Sequence, residues 1–183
     1  MTHQLDYYLA TDGSYRTEGG GLGTIIETGD GHQVDRTART DQSPDNNVAE
    51  YRALHLGLDI AARLLPDGAS LGILVDHTDL ARNINAQRLS RHDPSFTHTE
   101  AVTVPGGAEH HWRGIQARLA TRSDVRAACI DGRENPAHWL ANEPESYTHL
   151  GARSAGNGLA SGTSLRDRER VPPPSRGREF PSD

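Results

Sequence analysis

The sequence contains no lysine; all 19 of its basic residues are arginine. Against 25 acidic residues this leaves a formal net charge of −6, which excludes a protein that coats nucleic acid by bulk electrostatics. Any anionic partner must be recognised at a defined site. There is a single cysteine, Cys129, so no intrachain disulfide can form, and its place in an apolar run predicts a buried, inert thiol in a reducing compartment. No stretch approaches the ~18 consecutive apolar residues that would span a bilayer. Met1–Leu5 lacks the basic-then-apolar pattern of a secretory leader. A cytoplasmic location, no membrane contact and no obligate protein partner are the expectations.

At 183 residues and 34% hydrophobic content the chain suits one domain of roughly 100 to 150 residues with an appendage. The composition places the division near residue 145. Beyond it glycine, serine, arginine and proline dominate, and Leu159, Leu165, Val171 and Phe180 are too sparse to build a core. Residues 1–145 are therefore expected to form the domain and 146–183 a disordered tail, whose arginines interleave with Asp167, Glu169 and Glu179.

Within the domain the apolar pattern predicts strands over Leu5–Thr11, Gly21–Thr28 and His32–Arg39, joined through a glycine-rich turn and the hairpin signal Gly29-Asp30-Gly31. Asp45-Asn46-Asn47 can cap a helix in which Ala49, Ala53, Leu56, Ile60 and Leu64 recur at helical spacing up to Pro66. Ser70–Val75 reads as a buried parallel strand, which makes a strand–helix–strand crossover. Helices over Thr78–Arg88 and Ala108–Thr121, a fifth strand over Val125–Ile130 and a last helix over Pro136–Asn142 complete the series. The fold class expected is α/β, a five-stranded mixed sheet of three antiparallel and two parallel strands flanked by helices.

Three acids stand where these elements end or begin. Asp12 follows the first apolar run, Glu50 lies near the start of the long helix, and Asp76 follows the fourth strand. The topology brings the ends of the first and fourth strands side by side. Carboxylates gathered there would raise one another's pKa unless a cation neutralised them, and a hard divalent metal is the simplest relief. Gly13 next to Asp12 lets another backbone come close.

Asp12-Gly13-Ser14, Asn46-Asn47-Val48-Ala49-Glu50-Tyr51-Arg52-Ala53-Leu54, Val75-Asp76 and Glu134-Asn135-Pro136-Ala137-His138-Trp139-Leu140-Ala141 together resemble ribonuclease HI over about residues 5 to 143. The resemblance implies an RNase H-like fold and cleavage of the RNA strand of RNA–DNA hybrids, with two Mg²⁺ or Mn²⁺ ions held by four acids. Asp12, Glu50 and Asp76 match three of those acids. The fourth position, two residues before the leucine-alanine pair of the last helix, is His138, which becomes the expected fourth catalytic and metal-binding residue. Glu134 and Glu143 are the alternatives under a local realignment. Gly13, Ser14, Asn46 and Asn47 are the implied substrate contacts, although the two asparagines serve equally well as helix-start residues.

The departure at His138 keeps a second function in play, a hybrid-binding module of the same fold with weakened catalysis. A proofreading-type exonuclease is disfavoured, because Ser14 stands where a second acid of the first strand would be expected. His110 and His111 with His92 and His98 invite a zinc site, but adjacent helical residues are expected to face different ways, and they read as surface residues. Gly19–Gly23 lacks the Gly-Lys-Ser/Thr of a phosphate loop and reads as a flexible entry to the second strand.

Overall fold

A computed structural model of the chain describes residues 5–93, 95 and 103–147. Residues 1–4, 94 and 96–102, His98 among them, and the tail beyond 147 lie outside the described residues.

Strand β1 (Tyr7–Ser14) runs up the middle of a five-stranded sheet. It pairs antiparallel with β2 (Gly20–Thr28), which turns at Gly31, where φ is 91°, into the antiparallel edge strand β3 (Gln33–Asp41). Asp45 caps helix α1 (Asn46–Leu64), its carboxylate accepting from the Val48 N–H at 2.9 Å. Pro66 and Gly68, the latter at φ 77°, release the chain into β4 (Leu71–Val75), which lies parallel to β1. Helices α2 (Thr78–His92) and α3 (Glu109–Leu119) precede β5 (Val125–Cys129), which pairs parallel to β4. The sheet order β3-β2-β1-β4-β5 is the mixed architecture expected. A 3₁₀ turn at Gly132–Glu134 leads to two short helices, α4 (His138–Asn142) and α5 (Pro144–Tyr147).

The sheet is covered on both sides. On one, Leu9, Ile26, Leu54, Leu58, Ile73 and Ile84 join Tyr51, Trp112 and Ile115 in the larger core. On the other, Ala10, Ile25 and Leu74 meet Leu140 and Tyr147. Coverage of both faces explains why β1 and β4 read as continuous rather than alternating apolar runs.

Several local expectations are corrected. Asp12 does not terminate β1. The strand continues to Ser14 because β2 goes on pairing with it, Asp12 opposite Gly23 and Ser14 opposite Gly21, after its parallel pairing with β4 has stopped at Ala10. Gly21 and Gly23 are not a flexible entry but ordered strand residues over which α4 and α5 pass closely. A Cβ on Gly23 would lie 2.5 Å from the Ala137 carbonyl oxygen, and one on Gly21 2.5 Å from that of Ala141. Cys129 is exposed, because it ends an edge strand at the level where α2 only begins; its Sγ lies 3.5 Å from Thr78 Oγ1. The last helix starts at His138 rather than Pro136, since Asn135 holds the preceding turn: its Oδ1 accepts from the Ala137 N–H and its Nδ2 donates to the Thr11 carbonyl.

Candidate metal centre

Each acid reaches the site for a backbone reason. The parallel register of β1 and β4, Ala10 opposite Leu74, carries Asp12 and Asp76 to matching heights two residues further on. Asp76 stands just past the last residue of β4, where the strands diverge. Glu50 comes from the first turns of α1, which lies unusually close to β1 at Gly13. A Cβ there would fall 2.2 Å from the Ala49 carbonyl carbon and 2.5 Å from the Glu50 nitrogen, so only glycine permits the approach. Gly132 plays the same part for the following loop, where a Cβ would come within 2.8 Å of Asp76 Oδ2.

The three carboxylates offer oxygens that all lie within 4.8 Å of one another, and they form the one such group of His, Cys, Asp or Glu side chains among the described residues. Asp12 and Glu50 are 2% and 1% exposed. Burial pushes the Asp12 carboxyl up to about 6; the Asp76 charge adds to this and His138 opposes it. Burial also raises Glu50 well above the ordinary carboxylate range, with the charges of Asp12 and Asp76 adding and a backbone hydrogen bond from Gly13 opposing. Glu50 Oε2 and Asp76 Oδ1 are buried without a hydrogen-bond partner. Buried, mutually repelling and partly unsatisfied oxygens of this kind fit a hard divalent cation, which takes carboxylate and water oxygens.

His138 borders this group from the start of α4. Its Nδ1 is 3.4 Å from Asp12 Oδ2, and that contact raises the imidazole pKa against the opposing effect of burial. The Asn142 amide nitrogen lies 3.1 Å from the same Nδ1 and donates to the His138 carbonyl. Glu134 and Glu143 lie outside the group of three carboxylates.

The other residues singled out in the sequence surround the acids. Ser14 Oγ donates to Asn142 Oδ1 at 3.0 Å. Asn46 Oδ1 accepts from the Tyr15 N–H at 3.3 Å, tying the head of α1 to the end of β1. Asn47 Oδ1 lies 3.2 Å from His77 Nε2, tying it to the start of α2. Both asparagines are exposed, and the capping role belongs to Asp45.

Three residues of this neighbourhood escape a reading of the sequence. His77 braces Asn47 while its Nδ1 caps α2 by accepting from the Leu80 N–H at 3.2 Å, an unusual residue for that position. Asn142, four residues after His138, bridges it to Ser14, and this helical spacing is the available signal. Asn135 is 2% exposed and crosses to β1 one residue before Asp12, a contact between residues 124 apart that no local pattern announces.

A scan against protein-family models and a search of curated proteins return no match. Solved structures do match. The N-terminal RNase H domain of a Mycobacterium tuberculosis protein, solved as a fusion with maltose-binding protein, is 20% identical over 79% of this chain and 96% of its own, with a TM-score of 0.59. RNase H1 from the halophilic archaeon Halobacterium salinarum is 21% identical over 76% of this chain and 95% of its own, TM-score 0.55. An RNase H1 isolated from compost by a metagenomic approach, solved in complex with an RNA/DNA hybrid, is 20% identical over 75% and 94%, TM-score 0.55. The agreement extends over nearly the whole length of these domains and joins a sheet order, a crossover and a cluster of acids already visible in the chain itself: the protein has the ribonuclease H-like fold.

Proposed function

We propose that the protein is a divalent-metal-dependent endoribonuclease that hydrolyses the RNA strand of RNA–DNA hybrids. The observation that carries this reading is the group of buried Asp12 and Glu50 with half-buried Asp76, whose oxygens lie within 4.8 Å of one another on a ribonuclease H-like sheet. These three residues would hold Mg²⁺ or Mn²⁺, with His138 at the border of a second ion's place. Bound there, a pair of ions supplies an activated water and stabilises the leaving oxygen of an in-line phosphodiester displacement. The chain's own part is to hold the carboxylates rigidly on strand and helix backbones, which is what the close contact at Gly13 achieves.

Selection of the RNA strand requires contacts to the 2′-hydroxyl. The strand backbone at Gly13 and Ser14 stands next to Asp12 and suits that contact. Asn46 and Asn47, exposed at the head of α1 and braced by the Tyr15 backbone and by His77, would contact the hybrid in its minor groove. That one structural neighbour was solved with an RNA/DNA hybrid supports the choice of ligand.

One observation favours a second reading, a hybrid-binding module with weakened catalysis. A histidine held against Asp12, with its pKa raised, puts an imidazole where the resemblance implies a fourth carboxylate. Incubation of a labelled hybrid with Mg²⁺ or Mn²⁺, beside Asp76→Asn, separates the two. Cleavage of the RNA strand that the variant loses supports the nuclease. Hybrid binding with no cleavage above the variant supports the module, and neither binding nor cleavage refutes both.

A further inference from the structure

We propose that His55 and His111 form a second metal site, a two-imidazole site for a borderline transition-metal ion such as Zn²⁺, Cu²⁺ or Ni²⁺, which clips α1 to α3 on the flank of the domain. The proposal is independent of the nuclease reading, since none of its residues belongs to the acidic group.

The rings approach from different helices, with centroids 5.4 Å apart and near-perpendicular planes, and their Nδ1 atoms are 3.1 Å apart. Two nitrogens bound tetrahedrally to one Zn²⁺ at about 2.0–2.1 Å stand roughly 3.3 Å from each other, so the observed gap needs only a small opening. Space for the His55 ring is provided by Gly114 of α3. A Cβ there would lie 2.2 Å from His55 Nε2, and any larger residue would push the imidazole out.

The environment suits nitrogen ligation. Behind His55, Asp59 Oδ2 lies 3.9 Å from Nε2, and Asp59 is itself fixed by Arg118 Nε at 2.8 Å. The carboxylate's negative charge on that side favours a cation held by His55. Burial and the neighbouring His110 and His55 push His111 down to about 4, so its ring is neutral at neutral pH. Arg52, whose charge also acts on His111, is paired to Asp41 at 2.9 Å. An open cavity of about 420 Å³ beside both rings, lined also by Asp41 and Asp59 and by Arg39 and Arg52, leaves room for water to fill the remaining coordination positions. The tilted stacking of His110 on His111, centroids 3.7 Å apart, shows that these adjacent histidines do not diverge as their sequence positions suggest, and that the partner of His111 is His55 of α1 rather than His92.

The alternative is a plain hydrogen bond, one Nδ1–H donating to the other Nδ1. Titration of tag-free full-length protein with Zn²⁺ alone, followed by calorimetry and thermal unfolding, decides between them. The metal site predicts a rise in Tm of several degrees at saturating Zn²⁺. His55→Gln and His111→Gln should each weaken binding at least 10-fold, while unfolding in EDTA shows that both variants fold. The paramagnetic resonance spectrum of bound Cu²⁺ should report two imidazole nitrogens in the wild type and one in each variant. Zn²⁺ and Cu²⁺ binding unchanged by both substitutions, or abolished instead by Asp76→Asn, would overturn the proposal.

Discussion

In the absence of metal, Asp12→Asn should stabilise the protein at neutral pH and leave it unchanged in acid. Asp12 ionises near 3.8 in an unfolded chain and near 6 in the folded one, because burial and Asp76 disfavour its charge. The folded state therefore binds the proton more tightly. Stability from this group is fully present below 3.8, falls as pH rises through 6, and is then lost. A difference of about two pKa units corresponds to on the order of 3 kcal/mol. Glu50, raised for the same reasons, acts in the same direction. His111, held below its ordinary value, acts oppositely, which is why the comparison must be with a variant and not with the bare pH profile of the wild type. Asparagine imitates the protonated carboxyl, so the two proteins should unfold at the same urea concentration at pH 3, below the unfolded value. At pH 7.5 in EDTA the variant should be more stable by on the order of 3 kcal/mol, or about 6–12 °C in Tm for a domain of this size. Saturating Mg²⁺ should reverse the order, since it stabilises only the protein that binds it. Equal midpoints at pH 7.5, or a wild type that is the more stable protein in EDTA, would refute the account of this cluster as mutually repelling buried charge.

Three further outcomes follow from particular contacts. Gly13→Ala should cost at least about 3 kcal/mol in urea unfolding, because the new methyl meets backbone atoms of Ala49 and Glu50 rather than a movable side chain, and hybrid cleavage should fall with it. Asn135→Ala leaves the Thr11 carbonyl and the Ala137 N–H without their partner in a buried site, a loss of about 1–3 kcal/mol measurable by denaturant unfolding. His138→Asp adds a carboxylate beside Asp12; calorimetry should show Mg²⁺ binding tightened by about 10-fold or more, and the Mg²⁺-supported rate should rise relative to that in Mn²⁺.

Much of the architecture was legible because its signals are local. The hairpin glycines, the Asp45 cap and the helical spacing from Ala49 to Leu64 each act within a few residues. What escaped depends on neighbours distant in sequence. The extension of β1 through Asp12 to Ser14 runs against strand preference and exists because β2 supplies Gly21–Gly23 opposite it. Helix α5 has four residues and no apolar period, and Tyr147 owes its burial to the second core. Cys129 is exposed where its apolar run predicts burial, because such a run does not show where its covering helix stops. In the site, the three acids could be placed from the strand order alone. The pairing of His138 with Asp12, and the bridge through Asn142 to Ser14, could not, because both depend on the angle at which α4 crosses the sheet.

The close approaches around the site are made at glycines. Gly13 admits α1 to β1, Gly23 admits α4 to β2, and Gly132 admits the loop after β5 to Asp76. At each point a missing side chain exchanges van der Waals contact and chain entropy for backbone proximity, a loss to stability. The three approaches converge on carboxylates that repel one another and are left partly without hydrogen bonds, a second loss. Both are offset by the apolar layers packed on the two faces of the sheet. A sequence selected for stability alone would fill these glycines and neutralise these acids; their joint presence at one end of the sheet is therefore a physical argument for a cation site there, separate from any likeness to other proteins.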